Sequence, residues 1–230
     1  MIPHNFKIYN TLSGKKEKFV PLKNKKINFF VCGSTVYDFP HLGHARTCII
    51  FDSFAKYLKQ IGFKAFYLQN ITDLDDKIIA RAREKGVLPK NLALAFEKEY
   101  LRAMKNLNIN SVTKYARATS YIKEMINQVE RLLKRGYAYK LEDGVYYDIS
   151  KFKNYGKLSG RMALGAEDSV SRIDYSKNKK NRGDFCLWKL TERRTEPSWK
   201  SPWGYGRPGW HIEDTAIAEK FFGTQYDIHG

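Results

Sequence analysis

Cysteine, long apolar runs, internal repeats and acidic residues are all in short supply in this sequence, and each shortage narrows what the chain can be. Three cysteines in 230 residues, Cys32, Cys48 and Cys186, are too few and too scattered for a disulfide framework. That excludes a small stapled secreted domain and fits a reducing compartment. No apolar run approaches the roughly 20 residues of a membrane-spanning helix, and Met1-Ile2-Pro3-His4 lacks the apolar stretch of a signal peptide. The expectation is a cytoplasmic protein with no membrane partner. No internal repeat is evident, so a solenoid is excluded. Asp and Glu number 24 against 41 Lys and Arg, leaving a formal charge of +17. Such a field attracts polyanions, nucleic acid first, although a lysine-rich proteome would colour its proteins the same way.

What is present is a globular composition, 43% hydrophobic and 28% charged, on a chain long enough for one large domain or one domain carrying an insertion. The run "KINFFVCG" (26–33) reads as a buried strand ended by glycine. From Leu42 the period changes to helical, with Ala45, Cys48, Ile49, Phe54, Ala55 and Leu58 on one face and Gly62 just past the end. "KAFYLQNITD" (64–73) is again strand-like, and the helix after it begins with carboxylates and ends with basic residues and Gly86, as the helix dipole favours. Strand, helix and strand in that order imply a parallel sheet.

Helices are expected near 90–107 and 119–135, the second capped by Thr119 or Ser120 and burying Ile122, Met125, Ile126, Val129, Leu132 and Leu133. The stretch 136–150 alternates around Asp143-Gly144, a hairpin signal, and 166–182 reads as an exposed loop. The domain plan is therefore a first half of a parallel-sheet α/β domain at 1–117, a smaller inserted α+β domain at 118–200, and the start of the second half at 201–230.

At the first strand-to-helix junction stands "VCGSTVYDFPHLGHART" (31–47). His41 and His44 both project from the first helical turn, Gly43 between them lets a ligand approach the backbone, and the helix N-terminus favours anions. Two imidazole donors there suit the charge that grows on a phosphate during displacement. The plainer alternative is that His41 caps the loop and His44 is an ordinary surface residue.

"HLGH" resembles the HIGH signature of class I aminoacyl-tRNA synthetases, and the wider segment resembles the cysteinyl branch of that family. "NITDLDDKI" (70–78), "DFCLWK" (184–189) and "PSWKSPWGYGRPGWHIE" (197–213) follow in the family's order, so the likeness spans essentially the whole chain. The resemblance implies a Rossmann-like nucleotide-binding domain with an inserted connective domain. It implies a ligase that joins L-cysteine to ATP, supplied with Mg2+, and passes cysteine from the adenylate to tRNA(Cys), the enzyme being a monomer. His41, Gly43 and His44 would bind ATP, the two histidines serving catalysis. Gly33, Thr35, Thr72, Trp210 and His211 would form the cysteine pocket, and Cys32 would hold a Zn2+ that binds the substrate thiolate. Zinc favours sulfur, which would select cysteine over serine without editing.

Each residue also has a plainer reading. Cys32 could be a small buried hydrophobe, Trp210 a core aromatic, and Thr72 or Asp73 a helix cap; Asp75 and Asp76 suit a helix N-terminus. Cys48 and Cys186 are expected in the core. Lys177, Lys179, Lys180, Arg182, Arg193 and Arg194 either form a solvated loop or meet the acceptor end of tRNA through phosphates.

The sequence departs from the family twice. Asp214 stands where the family has a second zinc-binding cysteine; it could bind the metal through oxygen, hydrogen-bond a neighbour, or mark a lost metal. The chain also stops at "YDIHG", before the family's remaining zinc ligands and its KMSKS loop, with His229 as a further candidate near the metal. The expectation is a fragment that, alone, neither activates cysteine nor binds zinc tightly. Two other functions stay open: a cysteine ligase acting on an amino sugar, and a non-catalytic RNA-binding paralogue.

Overall fold

The computed structural model describes residues 6–160, 176, 178–191 and 196–230. In chain order the elements are β1 (Lys7–Asn10), β2 (Lys15–Lys18), β3 (Lys26–Val31), α1 (Leu42–Gln60), β4 (Lys64–Ile71), α2 (Asp76–Glu84), α3 (Pro89–Asn106) and β5 (Lys114–Arg117). A 3-10 turn at Ala118–Tyr121 leads to α4 (Ile122–Lys134), followed by β6 (Ala138–Leu141), β7 (Gly144–Tyr147), β8 (Phe185–Leu190), β9 (Trp199–Ser201), β10 (Gly204–Pro208), α5 (Ile212–Phe222) and β11 (Ile228–His229). Two compact units result. The first takes in the chain up to Ile8, Lys18–Tyr121 and Ile217–Gly230; the second takes in Tyr9–Glu17 and Ile122–Ala216.

The first unit is a Rossmann-like α/β layer structure around a parallel sheet of order β11-β3-β4-β5. Phe29 is in register with Tyr67 on β4 and with Ile228 on β11, and Leu68 with Lys114 on β5. Both faces of the sheet are covered, so β3 and β4 read as apolar runs rather than alternating ones. Ile27, Phe29 and Val31 pack toward Ala55 and Leu58 of α1, whereas Phe30 and Leu68 pack with Ile217 and Ala218. A third cluster joins Ile71 and Ile78 to Leu92, Phe96 and Tyr100 of α3. Successive strand residues thus serve opposite layers.

Several local expectations are corrected. The buried face of α1 is Cys48, Asp52, Ala55 and Leu58, and Ile49 is exposed. Asp52 takes an inward position because its carboxylate accepts from the backbone N–H groups of Asn110 (2.9 Å) and Ser111 (2.8 Å) and meets Lys56 at 2.6 Å. A buried carboxylate is tolerated where its lone pairs are satisfied. The cap of α2 is Asp75, which accepts from the N–H of Lys77, not Thr72 or Asp73. Asp73 instead receives the N–H and hydroxyl of Thr119, so Thr119 is spent on that clasp within the 3-10 turn. Its carboxyl pKa is raised, burial outweighing those hydrogen bonds.

In the second unit α4 buries Ile122, Met125 and Val129, and an antiparallel sheet runs in the order β6-β7-β8-β10-β9. Because β9 and β10 join that sheet, the unit continues past residue 200. The hairpin turn is Glu142-Asp143, with Leu141 paired to Gly144. Gly144 is needed one position later, in the strand, where a Cβ would come within 2.6 Å of the Trp188 carbonyl oxygen.

Candidate active site at the carboxyl edge

The loop after β3 delivers His41 to the N-cap of α1, with extended backbone angles. Its Nδ1 accepts from the N–H of Gly43 (3.0 Å), and the Nδ1 of His44 accepts in return from the N–H of His41 (3.2 Å). Two donors that a helix start leaves unpaired are thereby satisfied reciprocally. The rings lie 4.1 Å apart. A Cβ on residue 43 would stand 2.8 Å from the His41 ring, so glycine is what lets the imidazole fold over the first turn.

The capping bonds fix the tautomer. An Nδ1 that accepts a hydrogen bond carries no proton, so each neutral ring holds its proton on Nε2 and presents an N–H donor away from the helix. Burial lowers the pKa of His44, and the neighbouring His41 lowers it further. His44 is therefore neutral at physiological pH, an uncharged donor at the positive end of a helix.

Both histidines line a cavity of about 120 Å³ whose rim also includes Cys32 and Gly33. Pockets for whole ligands usually span ~300–1,000 Å³, so this is room for one small group. Its floor is Cys48, Gln69 and Tyr100, all buried. The Tyr100 hydroxyl donates to Gln69 Oε1 (3.1 Å), Gln69 Nε2 reaches Cys48 Sγ (3.9 Å), and the thiol lies 3.4 Å from the hydroxyl. These three groups form a closed cycle.

Gly33 sits hard against β4. Its N–H donates to Asn70 Oδ1 at 2.6 Å, and a Cβ here would lie 1.8 Å from the Asn70 carbonyl oxygen. Asn70 Nδ2 in turn donates to Thr72 Oγ1 (3.2 Å), and Thr35 pairs with Thr72 in a parallel bridge. Gly33, Thr35 and Thr72 are thus brought together at the sheet's carboxyl edge, beside the histidines. Cys32 is exposed there, with its N–H donated to the Gly230 carbonyl; it is not a buried hydrophobe. Cys48 and Cys186 are both buried.

Trp210, His211 and Asp214 belong to the second unit. Trp210 is 45% exposed, so it is not a core aromatic; it meets Phe185 edge-on and lies over His211 at 4.4 Å. His211 has a left-handed φ of 56° and hydrogen-bonds Asp214 Oδ2 through Nδ1 at 3.0 Å. Burial pulls the His211 pKa down, but the Asp214 carboxylate outweighs it with help from Glu213, and the net shift is upward. Of the basic residues, Lys179 Nζ is held by the carbonyls of Arg182 and Asp184, and Lys180 lies over the Tyr139 ring. Lys177, Arg193 and Arg194, and most of the segment 166–182, lie outside the described residues.

Among the described residues no group of three or more His, Cys, Asp or Glu side chains stands close enough to hold a metal. Asp214 engages His211, and His229 Nδ1 meets the Tyr226 hydroxyl at 2.6 Å. A zinc site that leaves a position open for a substrate thiolate takes three protein donors, and no such group is found among the described residues.

Gln69 and Tyr100 are the site residues that sequence reasoning missed. A glutamine inside the apolar run of β4 was the available signal for the first; Tyr100 had none, lying on α3 far away in sequence.

Residues 18–230 match the family model of the class I (C) tRNA synthetase catalytic domain. The chain is 52% identical over 223 residues to the cysteine–tRNA ligase of Thermoplasma volcanium, covering 97% of this chain and 49% of that protein. It is 48% identical over 224 residues to that of Pyrococcus horikoshii, covering 97% and 47%. The chain thus spans about half the length of the curated relatives it matches. Among solved structures, methionyl-tRNA synthetase of Mycobacterium tuberculosis in complex with methionyl-adenylate aligns over 75% of this chain and 30% of its own, at 19% identity and a TM-score of 0.49. No helix among the described residues is long and apolar enough to cross a membrane.

Proposed function

The chain belongs to the family of class I (C) tRNA synthetase catalytic domains, and from that premise we propose that it carries the adenylation half-site of a cysteine–tRNA ligase. The observation that carries this reading is the reciprocal capping of His41 and His44, which engages both Nδ1 atoms at a helix N-terminus while both residues line one small cavity. In adenylation the cysteine carboxylate attacks the α-phosphorus of ATP, a P–O bond breaks, and pyrophosphate leaves. No proton need pass to the enzyme. What the transition state needs is preorganised donors for charge on the phosphoryl oxygens, and imidazoles held by caps supply them without reorganisation.

On this reading ATP enters with Mg2+, its phosphates meeting His41, His44 and the backbone at Gly43. The cysteine lies beside Gly33, Thr35 and Thr72, with Trp210 and His211 as further substrate residues. Cysteine then passes to tRNA(Cys), in the cytoplasm, from a monomeric enzyme.

The test is ATP–pyrophosphate exchange by the full-length gene product, with cysteine and serine compared. Exchange with cysteine alone supports the reading; no exchange in a folded protein overturns it and favours a non-catalytic RNA binder. Acceptor choice, tRNA(Cys) against an amino sugar, then separates the two kinds of cysteine ligase.

A further inference from the structure

The amino edge of the same parallel sheet, opposite the histidines, carries a knot of four lysines. Lys23, Asn24, Lys25 and Lys26 form a turn closed by the Lys26 N–H on the Lys23 carbonyl at 3.0 Å, and the Lys25 carbonyl accepts from the N–H of Lys64 at 2.8 Å. Lys26 and Lys64 are direct neighbours in the parallel register of β3 and β4. All four side chains are exposed.

Three local choices here work against the fold. Like charges side by side on adjacent strands repel. Lys25 has a φ of 56°, at the third position of a turn where glycine or asparagine would be relaxed. Among the described residues no carboxylate pairs with any of the four. Asp227, which packs nearby, accepts instead from the backbone N–H groups of Leu22 and Asn28, both at 2.7 Å. A chain that tolerates strain and repulsion at one spot has a use for the charge there.

We propose that the Lys23–Lys25–Lys26–Lys64 knot is a phosphate-binding surface for the backbone of a folded RNA. It lies one strand length, about 17–20 Å, from the carboxyl edge where the histidines sit. An RNA held there does not occupy the adenylation site. Charge complementarity to a polyphosphate, on a chain of net +17, favours RNA; the surface reads no sequence, because phosphate contacts position without specifying.

The experiment uses the full-length gene product and a mixed-sequence RNA duplex of roughly 20 base pairs, longer than the ~16 base pairs that one double-stranded-RNA module spans. Lys23→Gln/Lys25→Gly/Lys26→Gln/Lys64→Gln is compared with an equally neutralised control, Lys90→Gln/Lys98→Gln/Lys105→Gln/Lys134→Gln. The knot variant is expected to bind the duplex at least tenfold more weakly than the control. Its log K against log salt slope should be shallower by about 3.6, roughly 0.9 for each of the four phosphates no longer neutralised. Lys25→Gly alone should raise Tm while weakening RNA binding, a combination that a structural lysine would not give. Equal loss in both quadruple variants would overturn the proposal in favour of a diffuse field. So would loss of binding to anionic phospholipid vesicles with RNA binding intact, or a parallel fall in pyrophosphate exchange.

Discussion

Replacing His41 separates the cap it forms from the donor role proposed for it. As N-cap it accepts from the Gly43 N–H; on the proposed reading its Nε2–H is a donor to the ligand of the cavity it lines. Asparagine is among the best N-caps, so His41→Asn keeps an acceptor for the first turn and should cost no more than a few tenths of a kcal/mol. The same change withdraws one preorganised donor from the transition state. Losses of that kind cost about 2.7–4 kcal/mol, or 10²–10³ in kcat. His41→Ala loses both functions, adding ~1 kcal/mol of lost capping, which for a domain of this size lowers Tm by about 2–4 °C. Pyrophosphate exchange and thermal unfolding of the full-length product read the two effects separately. The expected pattern is two equally slow enzymes, of which only the alanine variant melts early. If His41→Asn kept more than about a tenth of wild-type exchange, the donor role would be refuted and His41 would be a cap alone.

Three other perturbations follow from the same geometry. His44 has its pKa lowered from the ordinary 6.5, so below pH 6.5 the unfolded chain binds a proton that the folded one resists. Stability contributed by neutral His44 is complete above pH 6.5 and lost as pH falls through its lowered value. The melting difference between wild type and His44→Asn should therefore be flat above that pH and change only below it; a change centred above pH 7 would contradict the burial argument. Gly33→Ala drives a methyl into the Asn70 carbonyl at 1.8 Å and should cost ~3 kcal/mol or more, seen as a fall in urea midpoint; an unshifted midpoint would show that the loop yields freely. Tyr100→Phe opens the buried cycle and leaves Gln69 Oε1 unpaired, for a loss of about 1–3 kcal/mol; an equally stable variant would mean that water already serves that oxygen.

Much of the first unit was legible because its signals were local: the apolar runs of β3 and β4, the helical period of α1, and a glycine shortly after β3, α1 and α2. What escaped depended on partners far along the chain. Ile49 fits an apolar helix stripe, yet Asp52 takes the inward place because Asn110 and Ser111 bring their N–H groups to it. Thr72 and Asp73 look like caps of the next helix, but Thr119 claims Asp73 from 46 residues away. Gly144 reads as a turn residue and is in fact where one strand passes too close to Trp188 for a side chain. No window of sequence contains both partners of any of these pairs.

The junction histidines carry the same lesson one step further. From the sequence, capping and catalysis are rival explanations of His41, since a residue committed to closing a helix turn would not be free to meet a ligand. The two are compatible, because an imidazole has two nitrogens. Spending Nδ1 on the cap places the remaining proton on Nε2, orients the ring, and joins each histidine's position to the other's through the helix start. On the proposed reading the cap is what prepares the donor. For the same reason a glutamine or serine at position 41 would not replace the histidine: either can close the turn, but neither presents a second, oppositely directed N–H on a rigid ring once its acceptor is occupied. Rescue of His41→Ala exchange by added imidazole, without recovery of the lost Tm, would show that the donor can act when the cap cannot; recovery of both together would show that the cap was the whole of the role.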